Sequence, residues 1–261
     1  MNEFSHKKAV ELAIKDMFDK NDFNKIIEGS VLPDKDENQN GFVCHFYNPI
    51  TNSNYQDSED SAKARCIAHL GNYLLTKNLE ELGRSIHFLE DICTPVHVQY
   101  EDSTDAIIRG SLHLEFEKNL DKFCKNYSLK YDYKFPEFQS LSEAINFCAL
   151  NAAKNYYCYR DEGEKLKTLE ETLKLAICAI KYLITNYALN DGKSVNLIHN
   201  SNGKNIGLVI QGTNDNRSEN VFDLATLSPN YRLRMPQSGQ IFVFKKPHLG
   251  ANFFLDNTLI I

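Results

Sequence analysis

At 261 residues the chain can build one sizeable core with a small appendage. Hydrophobic residues at 42% and charged residues at 25% are ordinary for a soluble globular protein, and the formal net charge of −6 leaves no global basic surface to draw it to nucleic acid or anionic lipid. The seven cysteines are an odd number and sit largely among apolar neighbours, which disfavours a complete disulfide framework.

The first residues, MNEFSHKKAVELAIKDMF, mix acids and lysines where a cleavable secretory signal carries an unbroken apolar run. No stretch approaches the ~18–20 apolar residues of a membrane span. Residues 3–28 carry Phe4, Val10, Ile14, Met17 and Phe18 near helical spacing. The segment from Gly29 to Asp60 is dense in Asn, Asp, Ser and Pro and too long for a plain connector, so a functional or disordered loop is expected. Helical pattern returns from Ser61 to about Lys77. A further helix starts near Leu79 and ends by Thr94, because Pro95 disfavours helix in the residue before it.

Residues 105–127, 140–160 and 164–188 supply three more helices, the last with an apolar stripe of Leu169, Leu173, Leu175, Ile177, Ile180 and Leu183. From Gly192 the texture changes to short Val-, Ile-, Phe- and Tyr-rich runs between Asn, Gly, Ser and Pro clusters. The expected architecture is therefore mainly α: a multi-helix bundle over 1–191, followed by a small β-rich module over 192–261.

The chemistry concentrates in GRSIHFLEDICTPVH, residues 83–97. His87 and Asp91 lie four apart and share one helix face, and His113 and Glu117 repeat that spacing on the next helix. Bundles build metal sites from ligands on facing helices in this way. His97 stands just beyond Pro95, where a rigid turn can aim it at the same cavity. With His6, His45 and Asp34 there are more imidazoles and carboxylates than one Zn²⁺ requires, which points to a multi-metal cluster. His69, His199 and His248 read as ordinary core or surface histidines, and Glu90 is expected to face solvent.

These residues resemble the zinc-dependent bacterial phospholipases C. That family's run is a helical His-x-x-x-Asp, then Thr-Pro, then His, then His-x-x-x-Glu, and here it reads His87, Asp91, His97, His113, Glu117. GSVLPDKDEN resembles the family's Pro-Asp turn and HFYNP its His-Phe-aromatic-acid-Pro motif, which bring in Asp34 and His45; His6 stands where the family has its first histidine. The resemblance implies a buried site of two to three Zn²⁺ ions. Asp34, His45, His87 and Asp91 would hold one, His97, His113 and Glu117 a second, and His6, Asp91 and the amine and carbonyl of residue 1 a third.

It also implies a phosphodiester hydrolase, a phospholipase C that releases diacylglycerol and a phosphorylated head group by metal-activated hydroxide. Asp34 would be ligand or general base. The substrate would be a phospholipid met in transient contact with a membrane surface, with no nucleic acid as partner.

The chain departs from the family in two places. It begins with Met1 and has no Trp, although the distance from residue 1 to His6 equals that in the related fungal single-strand nucleases. Lys35 replaces the aromatic residue after the Pro-Asp turn, which removes one wall of a quaternary-ammonium cage and leaves room for an anionic or smaller head group. Phe46 and Tyr47 are the other candidate walls, with core packing as their alternative. Two further readings stay open: a single-strand nuclease of the same fold, and a non-catalytic zinc-stabilised binding protein. Family habit points outside the cell, while the missing signal and the unpaired cysteine count point to a reducing compartment.

Overall fold

In the computed structural model the described residues are 1–37, 43–56, 60–98, 106–128, 135–138 and 140–189, with the backbone of 193–199, 206–212, 218–223, 232–234 and 241–243. The fold is mainly helical.

The expected helical stretch over 3–28 is two helices, α1 (Glu3–Ile14) and α2 (Lys20–Gly29). Asp19 separates them. Its carboxylate accepts from the backbone N–H groups of Asn21 and Asp22, a cap that starts a new helix. Met17 and Phe18 therefore sit in the turn and cover the core from its edge. Phe4 is left half-exposed, with the Lys125 ammonium 5.7 Å from its ring centre.

The turn-rich segment holds a short helix, α3 (Pro33–Asp36), and a 3₁₀ turn over Val43–His45. Next, α4 (Ala62–Thr76) is capped by Ser61 and stops at Lys77, which takes the left-handed conformation (φ 55°). Asn78 caps α5 (Leu79–Ile92), and a 3₁₀ turn, Pro95–His97, follows its end. The bundle is completed by α6 (Ala106–Asn126), α7 (Leu141–Tyr159) and α8 (Lys165–Leu183), the last running into a π turn at Ile184–Ala188. All six residues of the expected α8 stripe are buried.

The hub is α5. Every residue from Leu82 to Ile92 is buried, and the helix packs against α2, α4, α7 and α8. Its crossing with α2 needs glycine on both sides. A Cβ on Gly83 would lie 2.3 Å from the Ile26 carbonyl oxygen, and one on Gly29 2.4 Å from that of Glu80. This close approach brings the end of α2, and with it Ser30, against the middle of α5.

Beyond the bundle, β1 (Lys193–His199) pairs antiparallel with β2 (Ile206–Gly212), and β2 with β3 (Ser218–Asp223). A second pair joins β4 (Arg232–Arg234) to β5 (Ile241–Val243). The expected β module over 192–261 falls largely on residues outside the described ones. Among the described residues no helix is long and apolar enough to cross a membrane, and no two cysteines form a disulfide.

Candidate metal centre

The site is built outward from α5. His87 and Asp91, one turn apart, both point into the bundle and are buried. The His87 Nδ1 lies 2.8 Å from the Ser30 carbonyl oxygen, which can only accept, so Nδ1 carries the proton. In the neutral ring Nε2 then presents a lone pair, and it meets Asp91 Oδ2 at 3.3 Å, Asp34 Oδ1 at 3.5 Å and His45 Nδ1 at 3.1 Å. His45 enters from the 3₁₀ turn, with Nδ1 2.8 Å from Asp91 Oδ2. Lone pairs converging on one another need a proton or a cation among them.

The other half lies across Asp91. Nδ1 of His97 is 3.1 Å from the His45 carbonyl oxygen and 3.4 Å from Asp91 Oδ1, while its Nε2 is 3.3 Å from Glu117 Oε1. His113, on the same face of α6, brings Nε2 within 3.0 Å of that oxygen. The amine of Met1 reaches both halves, 2.9 Å from Asp91 Oδ1 and 3.3 Å from Glu117 Oε1.

Each sequence-predicted ligand is thus brought to one cavity: Met1, His6, Asp34, His45, His87, Asp91, His97, His113 and Glu117. Among the described residues, three sets each gather one possible ligand atom per residue within 4.8 Å. They are His6 with Asp34 and His87, His45 with His87 and Asp91, and His97 with His113 and Glu117.

Charge in this cavity is strongly coupled. Burial opposes the Met1 ammonium, but Asp91, Glu117 and Asp34 outweigh it and push the amine up to about 11. Burial also opposes ionisation of Asp91 and Glu117. The neighbouring histidines and the amine overcome it, and both carboxyls fall well below the usual carboxylate range. His6 goes the other way, held well below its ordinary value by burial and by His87.

The donor set suits zinc, which takes imidazole nitrogen and carboxylate oxygen. A specific observation supports the fit: His6 Nε2 is fully buried with no hydrogen-bond partner, 3.7 Å from Asp91 Oδ1. A buried polar atom in that position is costly unless something coordinates it.

Glu90 does not face solvent. It is fully buried, with Oε2 2.6 Å from His6 Nδ1, and burial lifts its carboxyl well above the usual range. The sequence signal was available, since Ile86, Glu90 and Cys93 fall on one face of α5 at helical spacing. His69 is also more than a packed ring. It joins Glu81 (2.7 Å) to Glu37 (3.0 Å), and Glu37 also takes Arg65 (3.0 Å) and Arg84 (2.7 Å). Arg84 continues to Asp36 at 2.6 Å. This network ties α3, which carries Asp34, to α4 and α5.

The candidate substrate residues separate. Phe46 is half-buried and stacks on His97 with ring centres 5.2 Å apart, edge-on to His113 and to Tyr55. Tyr47 is buried, its hydroxyl donating to Asn146 Oδ1 at 2.7 Å, which is the core-packing alternative. Lys35 is exposed and pairs with Glu3 Oε2 at 3.6 Å, lining a surface groove with Lys7, Lys25 and Glu80.

A family model described as zinc dependent phospholipase C matches residues 5–181. Among solved structures, the alpha toxin from Clostridium absonum aligns over 85% of this chain and 82% of its own, at 17% identity and a TM-score of 0.50. The Clostridium perfringens alpha-toxin isolated from avian strain SWCP aligns over 84% and 79%, at 15% identity and the same TM-score. At such identities the likeness is one of fold. No curated protein sequence matches.

Proposed function

Because the chain belongs to the zinc-dependent phospholipase C family, we propose that it hydrolyses glycerophospholipids to diacylglycerol and a phosphorylated head group. The observation that carries this reading is the convergence of six histidines or carboxylates from α5, α6 and the two 3₁₀ turns on one cavity, joined there by His6, Asp34 and the Met1 amine.

Asp34, His45, His87 and Asp91 would hold one zinc, and His97, His113 and Glu117 a second. His6 and Asp91, with the Met1 amine and carbonyl, would hold a third, giving two to three ions. Zinc supplies Lewis acidity toward phosphoryl oxygens and lowers the pKa of a bound water to about 7. Asp34 is the carboxylate of the set that is in reach of solvent, with about a third of its side chain exposed. It would serve as a zinc ligand or as the base that accepts the proton of the attacking water. His87 and His97, each with Nδ1 directed at a backbone carbonyl oxygen, hold their rings in fixed orientation.

Phe46 would wall the head-group side of the cavity. Tyr47 would support it from the core, and Lys35 would act at the outer edge on an anionic head group. Ile50, 64% exposed, and Tyr55 lie in the same loop as Phe46 and would make the transient membrane contact. The segment 192–261 would form a small β-rich module beside the 1–191 helical domain.

The test is to assay the zinc-loaded chain on vesicles of choline, ethanolamine and anionic phospholipids and on single-stranded DNA, each with and without EDTA. Release of phosphorylated head group that EDTA abolishes is the expected result. Cleavage of DNA alone would make the protein a nuclease of this fold, and zinc uptake without any cleavage would make it a binding protein.

A further inference from the structure

We infer that Glu90 is a positioning residue for His6, fixing which ring nitrogen that histidine offers to a cation. The inference rests on the zinc-binding reading above and adds a carboxylate outside the nine ligand positions.

Three observations combine. Glu90 is fully buried on α5, and its Oε2 lies 2.6 Å from His6 Nδ1. The opposite nitrogen, Nε2, is buried and has no hydrogen-bond partner while facing Asp91 Oδ1 at 3.7 Å. The His6 ring is stacked on His87 with ring centres 4.1 Å apart, so it cannot turn to exchange its two nitrogens without displacing a second ligand.

Imidazole carries one proton in its neutral form, so whichever nitrogen donates leaves the other as the ligand atom. A proton held on Nδ1 by Glu90 makes Nε2 the ligand and directs its lone pair to Asp91 and Asp34. A carboxylate behind a ligating imidazole also raises the basicity of the ring, and removal of such a partner typically weakens metal affinity by about 10–100-fold. His87 and His97 use backbone carbonyl oxygens for the same purpose. His6 alone of these three is backed by a side-chain carboxyl group. Glu90 itself is held from behind, since its backbone carbonyl accepts from the Thr94 hydroxyl at 2.8 Å where α5 ends.

The experiment measures zinc retained per chain at buffered free zinc, by elemental analysis, for the full chain and for Glu90→Gln, Glu90→Ala, His6→Ala and the Glu90→Ala/His6→Ala double variant. Helix content by circular dichroism is recorded beside each. Glu90→Ala is expected to weaken one zinc equivalent about 10–100-fold and leave the others in place. His6→Ala should remove the same equivalent, and the double variant should be no worse than His6→Ala. Glu90→Gln, whose amide oxygen can still accept from Nδ1, should recover part of the loss.

Unchanged retention in Glu90→Ala, or a loss spread equally over every ion, would overturn the role of Glu90 while leaving the zinc reading intact. A wild-type chain that takes up no zinc would overturn both.

Discussion

Replacing Gly83 by alanine sets two physical effects against each other, and the structure decides between them. In an exposed helix the change would stabilise by up to about 1 kcal/mol, because glycine is the poorer helix former. Here the new methyl carbon would meet Ile26 O at 2.3 Å, Gly29 Cα at 2.7 Å and Gly29 C at 2.8 Å, all backbone atoms that no rotamer can move aside. An ordinary carbon contact is about 3.5 Å or longer, so α2 and α5 must part by roughly 1 Å. Overpacking of that kind costs about 1–3 kcal/mol. The separation also stretches the 2.8 Å contact between Ser30 O and His87 Nδ1, which costs about 1 kcal/mol more and releases the orientation of the His87 ring.

The net expectation is a destabilisation of about 1–4 kcal/mol, or a fall in Tm of roughly 2–16 °C for a chain of this size. Thermal melting of the zinc-stripped Gly83→Ala chain followed by circular dichroism measures it. Stripping separates packing from any change in zinc affinity. A variant that melts at or above the wild-type temperature would refute the argument, because helix propensity would then have won.

Three further outcomes are expected. Asp34→Asn should retain the helix content of the parent and, assayed at saturating zinc, lose most head-group release, about 10²-fold or more, in a steady-state assay; parental turnover in the zinc-replete variant would refute the role. Stripping zinc with EDTA should lower Tm by at least roughly 5–11 °C relative to the chain at zinc about 100 times its Kd, since each ion contributes a linkage stabilisation of about 2.7 kcal/mol, read by differential scanning calorimetry. The third concerns pH. Burial opposes the charge on His69, but Glu37 and Glu81 override it and raise the ring from 6.5 to about 9. A raised folded pKa means the stabilisation is whole below about pH 6.5 and is lost as pH rises through about 9. Urea melts should therefore show stability falling between those values in the parent and a flatter profile in His69→Asn.

The helices could be read in advance because their signals are local. The helical pattern from Ser61 to about Lys77, the restart near Leu79 and the stop before Pro95 bound α4 and α5 in the sequence nearly as they do in the structure. The shared faces of His87 with Asp91 on α5 and of His113 with Glu117 on α6 were legible for the same reason, since a four-residue spacing on a helix fixes a shared face.

What escaped was what depends on distant partners. The break between α1 and α2 turns on Asp19, one acid among several in a polar stretch. Glu90 reads as a surface acid until α1 brings His6 against it. The Glu37 network draws on Arg65, His69 and Arg84, which look like surface residues when taken singly. In the turn-rich segment, α3 has too few residues to show a period, and only its packing places Asp34 in the cavity and Lys35 against Glu3.

The helix at the centre of the bundle also has a bearing on how such a protein can change. Since α5 is buried from Leu82 to Ile92 and bears His87, Glu90 and Asp91, the proposed chemistry cannot be dismantled one residue at a time without cost to folding. Removing any single partner strands an ionic or polar group in the interior. A descendant that abandoned the chemistry would have to exchange several inward side chains together for apolar ones, whereas the loop carrying Phe46, Ile50 and Tyr55 stays open to revision residue by residue.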